Sequence, residues 1–322
     1  MSSEEESDLY TPYSERPEWS DVTPIPQDDG PHPVCPIMYT DEFKDKMNYF
    51  RAILKSKEKS LRVLKLLEDI VQDNPSNYTV WYYRREVLKS IENDTSIEYD
   101  IADEMQLLNE MGETDPKNYQ IWNHRRFIVE KYIGAASNEG EKLFLSDVLN
   151  EDAKNYHAWS HRQWLLKTFQ QWQGELEFVN KLLKLDHRNN SAWNHRFFVL
   201  LSNNQLPFSK ELIDREVEFA LGYIKFSPNN ESPWSYLRGL FKGQSLLNYQ
   251  DLLKQLLELK SKYIGCSHVN SIILDFYQEE NSKKSLEDSL NICKLLSETI
   301  DPIHKKYWEF KYNTIEIKLK SL

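Results

Sequence analysis

Two histidines four residues apart on one helical face can grip a metal ion, and His157 and His161 have that separation. Ala158, Trp159 and Ser160 lie between them, so no glutamate is placed as a general base and no third ligand is evident. His161 also belongs to a series, since His124, His161 and His195 each follow a tryptophan by two residues. A repeated position of this kind is expected to be structural, and no metal site is assigned to this chain. Lys154, in the run DAKNYHAW, is a cation on an expected turn between helices. Lys117 and Arg188 hold the same place before their own tryptophans, so Lys154 by itself reads as a solvated turn lysine. Tyr119 and Tyr156, each three residues before a tryptophan, read as amphipathic residues at the edge of a core.

Other chemistries lack their parts. There is no GxSxG nucleophile elbow, and the nine glycines form neither a GxGxxG nor a GxxxxGK[ST] phosphate cradle. Carboxylate pairs carry no information in a chain that is 28% charged. Cys35, Cys266 and Cys293 are odd in number and far apart, which suits free thiols in a reducing compartment. Forty basic against fifty-one acidic residues give a net charge of −11, which repels a phosphate backbone and excludes a general nucleic-acid binder. No run approaches the roughly 20 apolar residues that span a bilayer. The opening MSSEEESDLY is acidic where a signal peptide would be basic and then apolar, so a cytoplasmic location is expected.

The elements that must position these side chains are helices. Seven of the thirteen prolines fall within the first 36 residues, where they fix φ and remove hydrogen-bond donors. Residues 1–40 are therefore expected to form an extended, irregular arm. Its Tyr13, Trp19, Val22 and Ile25 are large enough to lie against a surface of this chain or another. From Asp41 onward, runs such as DEFKDKMNYFRAILKS and SLRVLKLLEDIV place apolar residues at i, i+3, i+4 and i+7.

The helical pattern repeats. NPSNYTVWYYRRE, DPKNYQIWNHRRF, DAKNYHAWSHRQW, DHRNNSAWNHRFF and SPNNESPWSYLRG align on Trp81, Trp122, Trp159, Trp193 and Trp234, which are 41, 37, 34 and 41 residues apart. Asn77, Asn118, Asn155, Asn189 and Asn230 stand four residues before them, and Arg84, Arg125, Arg162 and Arg196 follow the first four by three. A weaker copy centres on Trp308, followed three residues on by Lys311, and the 74 residues from Trp234 to Trp308 leave room for one degraded copy, so six or seven helix pairs would fill the chain. Pro75, Pro116 and Pro228 should end one helix, and the asparagine two residues later should cap the next. Each unit then reads helix, turn, helix, with the tryptophan between neighbouring hairpins and the arginine reaching a carbonyl or carboxylate of the adjacent one. Residues 41–322 form a helical-hairpin array of this kind, an all-α solenoid.

The run Asn-Tyr-x-x-Trp-x-x-Arg-Arg lacks the Leu-Gly of tetratricopeptide repeats and resembles the repeat of protein prenyltransferase α subunits. With EWSDVTPIPQDDGPHPV, NYTVWYYRR, NYQIWNHRR and NNSAWNHR, the chain is similar over nearly its whole length to the α-subunit family shared by protein farnesyltransferase and geranylgeranyltransferase type I. The Rab geranylgeranyltransferase α subunit is similar in its tryptophan repeats but not in the proline-rich arm. The resemblance implies a crescent-shaped, right-handed superhelix of about seven antiparallel hairpins, wrapped around and stabilising a β subunit that holds zinc. It implies transfer of farnesyl, or geranylgeranyl with another β subunit, from the isoprenoid diphosphate to the cysteine of a C-terminal CaaX motif on Ras- and Rho-like small GTPases. Magnesium is implied for the farnesyltransferase form.

Carried over residue by residue, the resemblance makes Lys154 the lysine that reaches the diphosphate. Tyr156 and Tyr119 become cleft residues near the diphosphate and the peptide. His157 takes the place of the side chain that bonds the substrate's terminal carboxylate, and Asn189 is a further substrate-site candidate. The contrasting expectation is a helical-repeat scaffold that binds another protein and does no chemistry, for which Lys154 within DAKNYHAW would have no use.

Overall fold

The computed structural model describes residues 10–94 and 96–322, with the backbone alone at residues 137 and 138. It divides into two compact units, residues 1–169 and 170–322. Fifteen α-helices and no strand occur among the described residues.

The first unit carries α1 (Asp41–Ser56), α2 (Leu61–Asp73), α3 (Tyr78–Glu92), α4 (Ile101–Thr114), α5 (Tyr119–Ile128), α6 (Asn138–Glu151) and α7 (Tyr156–Phe169). The second carries α8 (Glu175–Leu185), α9 (Asn190–Asn203), α10 (Lys210–Phe226), α11 (Glu231–Leu240), α12 (Gln250–Lys262), α13 (Ser267–Glu280), α14 (Lys283–Leu295) and α15 (Lys305–Lys320). After α1 the helices pair as α2/α3, α4/α5, α6/α7, α8/α9, α10/α11, α12/α13 and α14/α15, seven hairpins among the described residues. Within each unit, second helices of successive pairs also touch: α3 with α5, α5 with α7, α9 with α11 and α11 with α13.

The prolines and asparagines act as their spacing predicts. α2, α4 and α10 each stop two residues before Pro75, Pro116 and Pro228. Asn77, Asn118, Asn155, Asn189 and Asn230 then accept hydrogen bonds from backbone N–H groups in the first turns of α3, α5, α7, α9 and α11. The five repeat tryptophans are buried, and Trp81, Trp122 and Trp193 lie 4.7, 5.4 and 5.1 Å from the rings of His124, His161 and Tyr236 one repeat on.

Part of the arm is folded onto its own chain. Tyr13 and Trp19 are buried against Tyr49 of α1, the Tyr13 hydroxyl donates to Asp69 at 2.7 Å, and Arg62 pairs with Asp21 while covering the Trp19 ring. Ile25 donates its N–H to the Asn48 carbonyl, tying the strap to α1. Beyond it, Val34, Ile37 and Met38 are exposed.

Two features depart from the repeat pattern, the second of them in the 74-residue gap from Trp234 to Trp308 that leaves room for one degraded copy. α5 runs on through a π-helical turn, Val129–Ile133, closed by Gly134 at φ +62°, a left-handed conformation that suits glycine. The α12/α13 pair is a sixth repeat without its tryptophan. Cys266 sits at the asparagine position and donates its Sγ–H to the Pro228 carbonyl at 3.2 Å, and Asn270 is buried at the tryptophan position.

Candidate functional site

The turn between the two helices of each pair is built by hydrogen bonds rather than by loop length. Each repeat tryptophan donates its indole N–H to the carbonyl six residues earlier: Pro75, Pro116, Ala153, His187 and Pro228, at 2.8–3.0 Å. The Pro116 carbonyl also accepts the Asn155 amide at 3.1 Å, and the His187 carbonyl accepts that of Asn230 at 2.8 Å. One oxygen thus fixes its own turn and the next one, which sets the side chains on successive turns at a repeated spacing. Trp308 departs from this geometry, since its indole donates to the Asp301 carboxylate at 2.9 Å.

Lys154 stands on the α6–α7 turn, exposed, with its backbone N–H donating to Asp152 at 3.1 Å. Lys117, at the equivalent place one repeat earlier, pairs with the other Asp152 oxygen at 3.1 Å. Asp152 is held below the usual carboxylate range, first by the Lys117 hydrogen bond and then by the Lys154 backbone. The aspartate is therefore satisfied by its neighbours, and among the described residues the Lys154 ammonium forms no ion pair. It is available for an external anion.

Three of the other expected residues come together beside this turn. The His157 ring lies 4.3 Å from Tyr119, edge to face, and 5.4 Å from Tyr156, while stacking at 6.3 Å over Trp122. Tyr119 and Tyr156 are each 68% exposed, which leaves their hydroxyls to solvent or a ligand. Burial pushes the His157 pKa down, against a hydrogen bond to the Lys117 backbone and the charge of Asp115 that push it up. The imidazole is therefore neutral at pH 7. The cluster offers two phenols, a neutral imidazole and a free ammonium on adjacent turns of one unit. Asn189 is in the second unit, buried at the N-cap of α9, where its carbonyl accepts the Ser191 and Ala192 N–H groups at 3.0 and 3.3 Å.

The repeated arginines and histidines converge on buried glutamates outside the aligned tryptophan segments. Arg84 grips Glu104 of the next hairpin with two 2.7 Å hydrogen bonds, and His124 reaches the same carboxylate at 2.6 Å. Arg125 and His161 share Glu141, at 2.6 and 2.9 Å for their closest approaches. Arg196 and the Tyr236 hydroxyl share Glu216, at 2.7 and 2.6 Å. The glutamates follow their arginines by 20, 16 and 20 residues, but Glu104, Glu141, Glu175 and Glu216 each precede His124, His161, His195 or Tyr236 by 20, a regular signal that alignment on tryptophan leaves unused. His161 is thereby committed to Glu141, and among the described residues no three His, Cys, Asp or Glu side chains converge on a point. No described helix is long and apolar enough to cross a membrane.

Residues 61–91, 101–132, 139–169, 172–203 and 213–244 match the protein prenyltransferase alpha subunit repeat. These segments fall on the pairs from α2/α3 to α10/α11. The chain is 75% identical over 321 residues to the protein farnesyltransferase/geranylgeranyltransferase type-1 subunit alpha of Dictyostelium discoideum, covering 99% of each. It is 41% identical to the subunit of the same name from Pisum sativum, over 96% of each chain. Among solved structures, it is similar to Candida albicans protein geranylgeranyltransferase-I complexed with GGPP, with a TM-score of 0.79 and 30% identity over 92% of this chain and 98% of that one.

Proposed function

Because the chain belongs to the family of protein farnesyltransferase/geranylgeranyltransferase type-1 α subunits, we propose that it is the non-autonomous half of a cytoplasmic prenyltransferase. It works with a β subunit that carries the zinc. The pair moves farnesyl or geranylgeranyl from its diphosphate to the cysteine of a C-terminal CaaX motif, as on Ras- and Rho-like small GTPases. Sulfur bonds to the first prenyl carbon, the carbon–oxygen bond to the diphosphate breaks, and the diphosphate leaves with the electron pair. In this reading residues 1–40 are a docking arm and residues 41–322 one functional repeat domain.

The observation that carries the proposal is the uncommitted Lys154 ammonium, set on the α6–α7 turn beside Tyr156 while the equivalent Lys117 is taken by Asp152. Negative charge on the diphosphate grows as the carbon–oxygen bond lengthens, and a fixed cation is worth more to that state than to the ground state. Tyr156 supplies a hydroxyl near the same phosphate. His157, held between Tyr119 and Tyr156 with one ring nitrogen on the Lys117 backbone, takes up a proton as the peptide binds and donates from its other nitrogen to the terminal carboxylate. Tyr119 lines the peptide side, and Asn189 acts by fixing the first turn of α9. In this reading zinc belongs to the partner and magnesium to the diphosphate, and this chain's described residues supply no cluster of metal ligands.

The proposal is tested by isolating the tagged chain with its partners and assaying transfer of labelled farnesyl and geranylgeranyl groups to CaaX peptides. Activity should be present in the complex and vanish when the partner is stripped. A complex that keeps its partners and transfers neither group would favour a binding scaffold. Within the active complex, His157→Leu should raise the peptide KM roughly 3–10-fold, the size of one net hydrogen bond. His157→Gln should retain most of the affinity, and prenyl diphosphate binding should be unaffected by either. An unchanged peptide KM in His157→Leu would remove His157 from carboxylate recognition.

A further inference from the structure

The helix α15 has two apolar faces, and the structure covers one of them. Trp308 and Ile315 are 5% and 0% exposed, on the side that packs with α14. On the other side Tyr307, Phe310 and Ile317 are 50%, 66% and 69% exposed, and Ile303, in the turn that leads into the helix, is 91% exposed. Spacings of four, three and seven residues put these four side chains along one stripe. In the other second helices, the residues one before and two after the repeat tryptophan are buried, as Ile121 and His124 are in α5. At Trp308 the same two places are Tyr307 and Phe310, turned outward.

The charge around the stripe says what can cover it. α15 holds five lysines against two glutamates in a chain whose net charge is −11. On the helical wheel Lys306 and Lys320 border one edge of the stripe, and Lys311 and Lys318 border the other. Lys305 and Lys320 are offset by Glu309 and Glu316, while Lys306, Lys311 and Lys318 have no ion pair among the described residues. A second copy of this chain would bring lysines against lysines. An apolar strip of aromatic and aliphatic side chains, bordered on both edges by long cationic stems, is the pattern of a helix that lies in a lipid interface with its ammoniums at the headgroups.

We propose that the exposed face of α15 docks the enzyme on an anionic membrane surface, in the plane of the headgroups and without spanning the bilayer. Tyr307, Phe310 and Ile317 enter the acyl boundary, and Lys306, Lys311 and Lys318 meet the phosphates. The stripe shares no residue with the Lys154 turn, so substitutions in it should leave transfer to a soluble peptide unchanged.

The test uses the complex of this chain with its co-purified partner, sedimented with vesicles of phosphatidylcholine alone or with about 30% phosphatidylserine. The expected result is binding to the anionic vesicles that weakens with salt. It should fall at least roughly tenfold in a Phe310→Ser, Ile317→Ser variant. Lys306→Gln with Lys318→Gln should weaken it about fivefold per lysine, with no effect on neutral vesicles. Transfer to a soluble peptide should be unchanged in both variants. Binding that ignores phosphatidylserine, or that survives both pairs of substitutions, overturns the proposal, as does no binding to either vesicle. Vesicle-free self-association abolished by Phe310→Ser, Ile317→Ser would overturn it by giving the face to a second copy.

Discussion

Lys154→Ala slows single-turnover prenyl transfer about 10–100-fold, while the chain still assembles with its partner. The magnitude is that of one charge-assisted hydrogen bond confined to the transition state, about 1.5–3 kcal/mol. Assembly should survive because Lys154 is exposed and contributes only a backbone N–H to the turn, a bond that alanine keeps. Lys117→Ala is the internal control. It removes a cation from the same repeat position, but one already paired with Asp152 at 3.1 Å, so its effect on rate should be several-fold smaller. Rapid-quench measurements on the purified complex distinguish the two. A Lys154→Ala rate equal to the unsubstituted one would take Lys154 out of the mechanism and leave the turn as architecture.

How much of this was readable beforehand differs by residue. The helix pairs were legible because Pro75, Pro116 and Pro228 stop helices and the following asparagines start them, both local effects that survive any tertiary context. The buried tryptophans followed from the same register. The glutamates were overlooked although they stand 20 residues before His124, His161, His195 and Tyr236, because alignment on the tryptophans compares the second helices alone and the carboxylates lie on the first. The sixth repeat was legible only as a gap, the 74 residues from Trp234 to Trp308 that leave room for one degraded copy; its register was not, because Cys266 replaces an asparagine amide with a thiol yet reaches the carbonyl of the preceding turn. At the candidate site, the spacing placed Tyr119, Tyr156 and His157 at equivalent edges but could not say that His157 reaches back to Tyr119 of the neighbouring repeat. The difference between Lys154 and Lys117 was also hidden, since it turns on which of two identical positions faces Asp152.

Glu104→Ala is expected to cost about 3–5 kcal/mol of stability, because it strands Arg84 in the core with its charge unpaired. Arg84 and Glu104 have side chains 2% and 0% exposed, and the carboxylate also holds His124 and the Tyr99 hydroxyl. In thermal unfolding this should lower Tm by roughly 10 °C. Replacing both partners, as in Glu104→Leu with Arg84→Met, should cost less than Glu104→Ala alone, since no buried charge is then left over. Acid should act on the same groups. Burial would raise the Glu104 and Glu141 carboxyls, but Arg84 and His124 for the first, and His161 and Arg125 for the second, hold them below the ordinary 4.5. Burial lowers His124 and His161 below the ordinary 6.5, with the glutamates only partly offsetting it. In both cases the unfolded chain binds more protons than the folded one, so stability falls as pH drops. The loss begins near 6.5, where unfolded histidines take protons that the buried ones refuse, and it deepens below 4.5 as unfolded glutamates do the same. Glu104→Ala should flatten the lower part of that curve. A loss under about 1 kcal/mol at pH 7, the size of an exposed ion pair, would show that the array does not depend on this buried junction.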